Sequence, residues 1–114
     1  MVRKEIKYGC IGFILPIWGR KQLELWCCPP KCLVPLHTHS DLSGFIIHIW
    51  GKARVIVANR TKYLPLFSFF RHFCVPPSMP HGFESSNNWF ILLNIENWNA
   101  GTTKTSAAQN FTII

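Results

Sequence analysis

Negative charge is scarce in this chain. Of its 114 residues only 5 are Asp or Glu, against 12 Lys and Arg, and charged residues together make up 15%. The composition is instead 48% hydrophobic and 14% aromatic, which excludes a disordered chain and calls for a packed fold. No apolar run reaches the ~20 residues needed to span a bilayer, so no membrane partner is expected. Residues 11–18 form a short apolar run after basic residues, but the run contains Pro16. It also lacks a small-x-small cleavage site before Arg20-Lys21, so no secretory leader is expected. The 5 cysteines (Cys10, Cys27, Cys28, Cys32 and Cys74) are odd in number and form no repeating framework. Reduced thiols and a cytoplasmic setting follow. No stretch shows three turns of amphipathic helix, and neither an internal repeat nor a domain linker interrupts the chain. This length supports one core and is too short for two.

The basic surplus gives a net charge of +7 and a pI near 9.5. Its members are dispersed: Arg3, Lys4 and Lys7, then Arg20-Lys21, then Lys52, Arg54, Arg60 and Lys62. No aromatic stripe alternates with them, so solubility explains the charge better than a nucleic-acid partner does. An anionic small molecule is compatible with it. Low charge combined with 5 Trp and 9 Phe points to apolar surface buried against a second copy, a homodimer.

What recurs along the chain is a short β-rich run followed by turn chemistry. Strands are expected over 11–15, 23–28, 32–39, 44–50, 52–58, 63–69, 73–75, 81–84 and 89–95. Pro16 with Gly19, Pro29-Pro30, Ser40-Asp41, Gly51, Asn59-Arg60-Thr61, Pro76-Pro77 and Asn87-Asn88 supply the breaks. Many short strands at this spacing imply an all-β sandwich, barrel or jelly roll. The polar stretch 99–109 reads as a loosely held arm. Strand 44–50 is apolar on both faces: Gly44, Ile46, His48 and Trp50 on one, Phe45, Ile47 and Ile49 on the other. A barrel interior buries one face, and a second sheet or subunit must cover the other.

Two segments carry the chemistry, Pro35-Leu36-His37-Thr38-His39 and Val75-Pro76-Pro77-Ser78-Met79-Pro80-His81. Alternation on a strand sends His37 and His39 to the same side, about 7 Å apart. A third imidazole, His81, delivered after a rigid Pro-Pro turn, completes a three-nitrogen set with open positions for water or substrate. Taken alone, His-x-His on a strand is more often a surface pair.

The spacing resembles the paired motifs of the cupins, small barrels of double-stranded β-helix (jelly-roll) fold. Their first motif reads G-x5-H-x-H, three or four residues, then E-x6-G; the second reads G-x5-P-x-G-x2-H-x3-N. His37, His39 and Gly51 fill the first, and Pro76 and His81 the second. The resemblance implies one cupin barrel over 1–98, with motif one at 31–51, motif two at 70–85 and a C-terminal arm at 99–114. Five positions depart: Lys31, Phe70 and Ser78 stand for glycines, Ser85 for asparagine, and Gly44 for the glutamate that gives the fourth metal ligand. A cupin without that glutamate is similar to the three-histidine subset, which includes thiol dioxygenases and diketone- and acetophenone-cleaving dioxygenases. Val75 stands where the latter tend to have an acid before Pro-Pro. What carries over is metal ligation by His37, His39 and His81.

Three neutral imidazoles suit Fe(II), Zn(II), Ni(II) or Cu(II) and leave room for an anionic bidentate ligand. The face of strand 44–50 bearing Ile46, His48 and Trp50 is a candidate pocket wall. On it, His48 lies about 13 Å along the strand from Gly44, in another layer. His48 and His72 read equally as structural histidines. No residue stands out as a general base, since Asp41 falls in the loop after His39. Cys27-Cys28 and Cys32 make a poor zinc cluster, because adjacent strand residues face opposite ways and no second Cys-x2-Cys exists. The five Trp, Trp18 among them, are expected in the core or an interface. Three readings remain, the first two being a metal-dependent oxygenase or lyase/isomerase acting on a small anion, and a non-catalytic module that binds or senses a small ligand or sugar. A barrel retained for a dimeric structural role is the third reading.

Overall fold

The computed structural model describes residues 2–17, 19–40, 42–66 and 71–98, and the backbone of 111–113. Trp18, Asp41, Phe70 and the polar stretch 99–109 lie outside the described residues. Eleven strands and no α-helix occur among those described: β1 Arg3–Lys7, β2 Cys10–Pro16, β3 Lys21–Cys28, β4 Leu33–His39, β5 Leu42–Trp50, β6 Ala53–Val57, β7 Arg60–Leu64, β8 His72–Val75, β9 His81–Ser85, β10 Phe90–Trp98 and β11 Phe111–Ile113. They form two antiparallel sheets, ordered β1-β2-β3-β10-β5-β8 and β11-β4-β9-β6-β7. Face to face, these sheets make the expected jelly-roll barrel.

Three elements differ from the sequence reading. β1 is absent from it because Arg-Lys-Glu-Ile-Lys offers a single apolar residue. It is a sheet edge, where charged side chains are tolerated and discourage further pairing. β7 begins at Arg60, just where a break was expected, and ends at Leu64. The actual turn is tighter: Val57 pairs with Arg60, and Ala58 takes a φ of 57° to close it. β11 pairs with β4 through residues 37–39, inside the segment expected to be an arm.

The core between the sheets mixes small residues with aromatic ones. Cys10, Cys28, Cys32, Val34, Val55 and Phe90 are among the buried cluster. Three of those are thiols. Cys10 and Cys32 have their sulfurs 3.3 Å apart, as hydrogen-bonded free thiols. Burial and the neighbouring Cys10 push the Cys32 thiol up to about 12, so it is protonated at neutral pH and a poor metal ligand.

The six-stranded sheet mixes polar groups into its buried face and apolar ones into its outer face. Its inner face carries Gln22, Glu24 and Glu96, all fully enclosed. Its outer face carries two apolar rows that cross four strands in register, Phe13–Leu25–Leu93–Ile47 and Leu15–Leu23–Ile95–Phe45. Of these, Phe13 is 40% exposed and Leu25 and Phe45 are 36% exposed.

Positive φ marks where the glycine pattern survives without glycine. Lys31 (57°) and Ser78 (64°) both stand where the cupin motifs have glycine, and both keep the left-handed backbone that glycine adopts most easily. Gly51 is retained for a stricter reason. At φ 97°, a Cβ there would lie 1.9 Å from the Trp89 carbonyl oxygen.

Candidate metal centre

β4 joins β9 through an irregularity. Pairing with β9 slips between Val34 and His37, where Pro35 has no N–H to give the ladder. The bulge packs against Gly82, where a Cβ would come within 2.8 Å of the Val34 carbonyl oxygen. Glycine at 82 therefore permits the close approach that brings His37 opposite His81. On the other side, the Pro76–Met79 turn is closed by Met79 N–H donating to the Pro76 carbonyl at 3.2 Å. Pro77 then Ser78 with positive φ is the type II arrangement. Ser78 N–H donates to the His39 carbonyl at 2.6 Å, tying the second motif to the first.

The three imidazoles converge as the spacing predicts. Ring centroids lie 4.9 Å apart for His37–His39, 4.1 Å for His37–His81 and 5.3 Å for His39–His81. One ring nitrogen from each falls within 4.8 Å of the others. Three donors about 2.1 Å from one ion lie at most about 3.6 Å apart, so closing the set on an ion draws the farthest pair together by about an ångström. Proton placement also fits a metal. His37 Nδ1 lies 2.7 Å from the Pro35 carbonyl and His81 Nδ1 2.9 Å from that of Met79. These contacts put the proton on Nδ1 and leave Nε2 as donor, the outer-shell pattern of metal-bound histidine. Burial, then the facing His81, holds His37 down to about 3, and burial lowers His81 as well. Both rings are neutral at pH 7 and competent to ligate.

No carboxylate occupies the fourth position. A Cβ on Gly44 would lie 3.0 Å from Asn94 Oδ1, so the amide of Asn94 fills the space into which a residue-44 side chain would project.

A chamber of about 590 Å³, mouth included, opens from the triad, with Ile46 among its walls. A smaller recess of about 270 Å³ adjoins it, sharing Ile46, Asn94 and Glu96. His48 and Trp50 line neither. His48 is 1% exposed, with Nε2 held 2.7 Å from the Gly51 carbonyl, so it fixes the turn beyond its strand rather than facing a ligand. The structure thus moves His48 and Trp50 out of the candidate pocket wall and keeps Ile46 in it.

Among the lining residues that escape the sequence reading, four are charged or carry an amide: Lys7, Glu24, Asn94 and Glu96. Lys7 belongs to the unrecognised edge strand, and its positive charge acts on His37. Glu24 and Glu96 sit on strands that read as apolar. The one available signal is their period-two placement, with Gln22-Leu23-Glu24 and Asn94-Ile95-Glu96 setting polar residues on a single face.

The class this defines is a two-sheet β-roll in which three histidines converge at an internal chamber and could hold a metal ion. No family model and no curated protein sequence matches the chain. Solved structures do. An RmlC-like cupin from Shewanella frigidimarina superposes with a TM-score of 0.72 at 19% identity, covering 89% of this chain and 86% of that one. KdgF from a Halomonas species gives 0.73 at 12% identity, covering 89% and 88%. A variant of Bacillus subtilis oxalate decarboxylase gives 0.74 at 16%, covering 97% of this chain and 30% of that one. The chain has the cupin fold. Among the described residues, no helix is long and apolar enough to cross a membrane, which says nothing about strands.

Proposed function

We propose that the protein is a small metal-dependent enzyme of cupin fold that holds one divalent ion through His37, His39 and His81 and acts on a small anion. The observation that carries this is the convergence of three imidazoles, two of them kept neutral with Nδ1 on a backbone carbonyl. When bound, the ion supplies a fixed positive charge that attracts an anionic oxygen. Around it, the chain's own groups supply the rest. Lys7 adds positive charge near His37, Ile46 and Phe83 exclude water, and Asn94 presents an amide beside the triad. Iron, zinc, nickel and copper all match this donor set. An oxygenase and a lyase or isomerase share this first step.

The test is elemental analysis of protein purified without a chelating column. About one equivalent of metal in the wild type and none in His37→Ala supports the reading. Equal metal content in the two proteins overturns it. The second reading, a non-catalytic ligand-binding module, is favoured by the missing carboxylate at Gly44; ligand-induced thermal stabilisation without turnover would select it.

We also infer that a second copy covers the two outward apolar rows of the six-stranded sheet, since so continuous an apolar face is unusual on a monomer. Sedimentation of Leu25→Lys as a monomer beside a dimeric wild type supports this; a monomeric wild type at micromolar concentration refutes it.

A further inference from the structure

Across the chamber from the imidazoles, two carboxyl groups are enclosed together. Glu24 and Glu96 are each 1% exposed, yet both line the chamber that also holds His37, His39 and His81. Burial and the neighbouring Glu24 raise the Glu96 carboxyl above its ordinary range. Gln22 Nε2 donates to Glu24 Oε2 at 3.0 Å and to Glu96 Oε1 at 3.3 Å. Trp26 Nε1 donates to Glu24 Oε1 at 2.8 Å, and Asn94 Nδ2 to Glu96 Oε2 at 3.3 Å. No cation appears among these contacts. Like charges enclosed together in a low-dielectric site disfavour a second ionisation.

The surrounding amides point to a ligand. Gln22 is wholly buried, and its Oε1 has no hydrogen-bond partner, nor has the buried Oδ1 of Asn94. Both amides turn their NH2 groups toward the acids and leave an acceptor unfilled. An unfilled buried acceptor is expensive, on the order of 1–3 kcal/mol. A hydroxyl or water entering beside Asn94, which lines both the chamber and the recess, would satisfy one of them.

We propose that Glu24 and Glu96 share one proton and together form the acid–base group of the site, serving a small hydroxy- or oxo-carboxylic acid. The inference rests on the metal-site reading given above. The ligand's anionic oxygen lies toward the imidazoles and Lys7, and its hydroxyl donates to Asn94. In the forward step the C–H bond beside the carbonyl breaks. Its proton goes to the carboxylate member of the pair, and its electron pair moves onto the ligand's own oxygen. Returning the proton to the same or the neighbouring carbon completes an exchange or an isomerisation. No oxidant, reductant or leaving group is required.

The first measurement is infrared spectroscopy of the full chain at pH 7. A protonated-carboxyl band that shifts in D2O and is lost in Glu96→Gln is expected; its absence from the wild type overturns the proposal. The second follows deuterium entry into the methyl group of pyruvate by NMR, using Zn(II)-loaded protein in D2O. Glu96→Gln should exchange at least ~100-fold more slowly while keeping its zinc. Wild-type protein that holds zinc without exchanging, or a variant that exchanges at the wild-type rate, overturns the acid–base role. If Glu96→Gln does not fold, Glu24→Gln is read in the same two ways. Failure of wild type to hold zinc would sink the metal reading instead, and the carboxyl band would remain.

Discussion

Restoring the missing carboxylate with Gly44→Glu is a demanding test of the site geometry. The new Cβ would start 3.0 Å from Asn94 Oδ1, inside ordinary contact distance. Overpacking of this kind costs about 1–3 kcal/mol. Replacing a strand glycine returns roughly 0.5–1 kcal/mol. The new acid also joins a recess already lined by Glu96. The metal-free variant is therefore expected to lose about 2 kcal/mol, or about 1 M in urea midpoint for a slope near 2 kcal/mol per M. In an Asn94→Ala background the same change should cost about 1 kcal/mol less, because the blocking amide is gone. That coupling exceeds the 0.3–0.5 kcal/mol within which independent sites add. Saturating Zn(II) should then stabilise the double variant more than the wild type, with the carboxylate as fourth donor. Urea titration of all four proteins, with and without zinc, reads each value. Additive costs, or equal stabilisation by zinc in every background, would refute the assignment of Asn94 to the fourth-ligand space.

Zinc at 100 times its dissociation constant should stabilise the wild type by about 2.7 kcal/mol, roughly 10 °C by calorimetry, and leave His37→Ala unmoved. Ser78→Gly relieves a left-handed serine (φ 64°) and should raise stability by roughly 0.5–1 kcal/mol in denaturant titration, whereas a loss there would show the serine side chain to be structural. Ser85 is 3% exposed, accepts from Cys32 N–H at 2.8 Å and donates to the Pro29 carbonyl at 2.6 Å, so Ser85→Ala should cost about 1–3 kcal/mol by the same assay. The Cys32 thiol titrates near 9.0 when unfolded and about 12 when folded. Its contribution is therefore complete below pH 9 and lost as the pH rises toward 12, and Cys32→Ala should flatten that alkaline decline.

The barrel and its donors were legible because both rest on local rules. Alternation puts His37 and His39 on one face, turn chemistry separates the strands, and His81 follows a turn that Pro77 and Ser78 close. The opposite wall was not legible. Glu24 and Glu96 look like polar interruptions of apolar strands, and only the pairing of β3 with β10 puts Gln22 opposite Glu96 and Asn94 opposite Glu24. His48 shares a strand face with Ile46, yet the turn at Gly51, three residues on, captures its ring. Strand periodicity gives the face; it does not say how far the chamber extends along it. Lys7 was hidden because β1 gains its order from pairing with β2, which no property of a charged pentapeptide announces.

Gly82 has no ligand atom, no charge and no side chain, yet the close approach of two ligand-bearing strands depends on its carrying a hydrogen where other residues carry a Cβ. A methyl group there would act as a wedge, prying the donors apart while every one of them stayed intact. Mutational scans that look for lost function only among histidines would file such a defect under folding. The chemistry of this centre is thus guarded by a residue that takes no part in it.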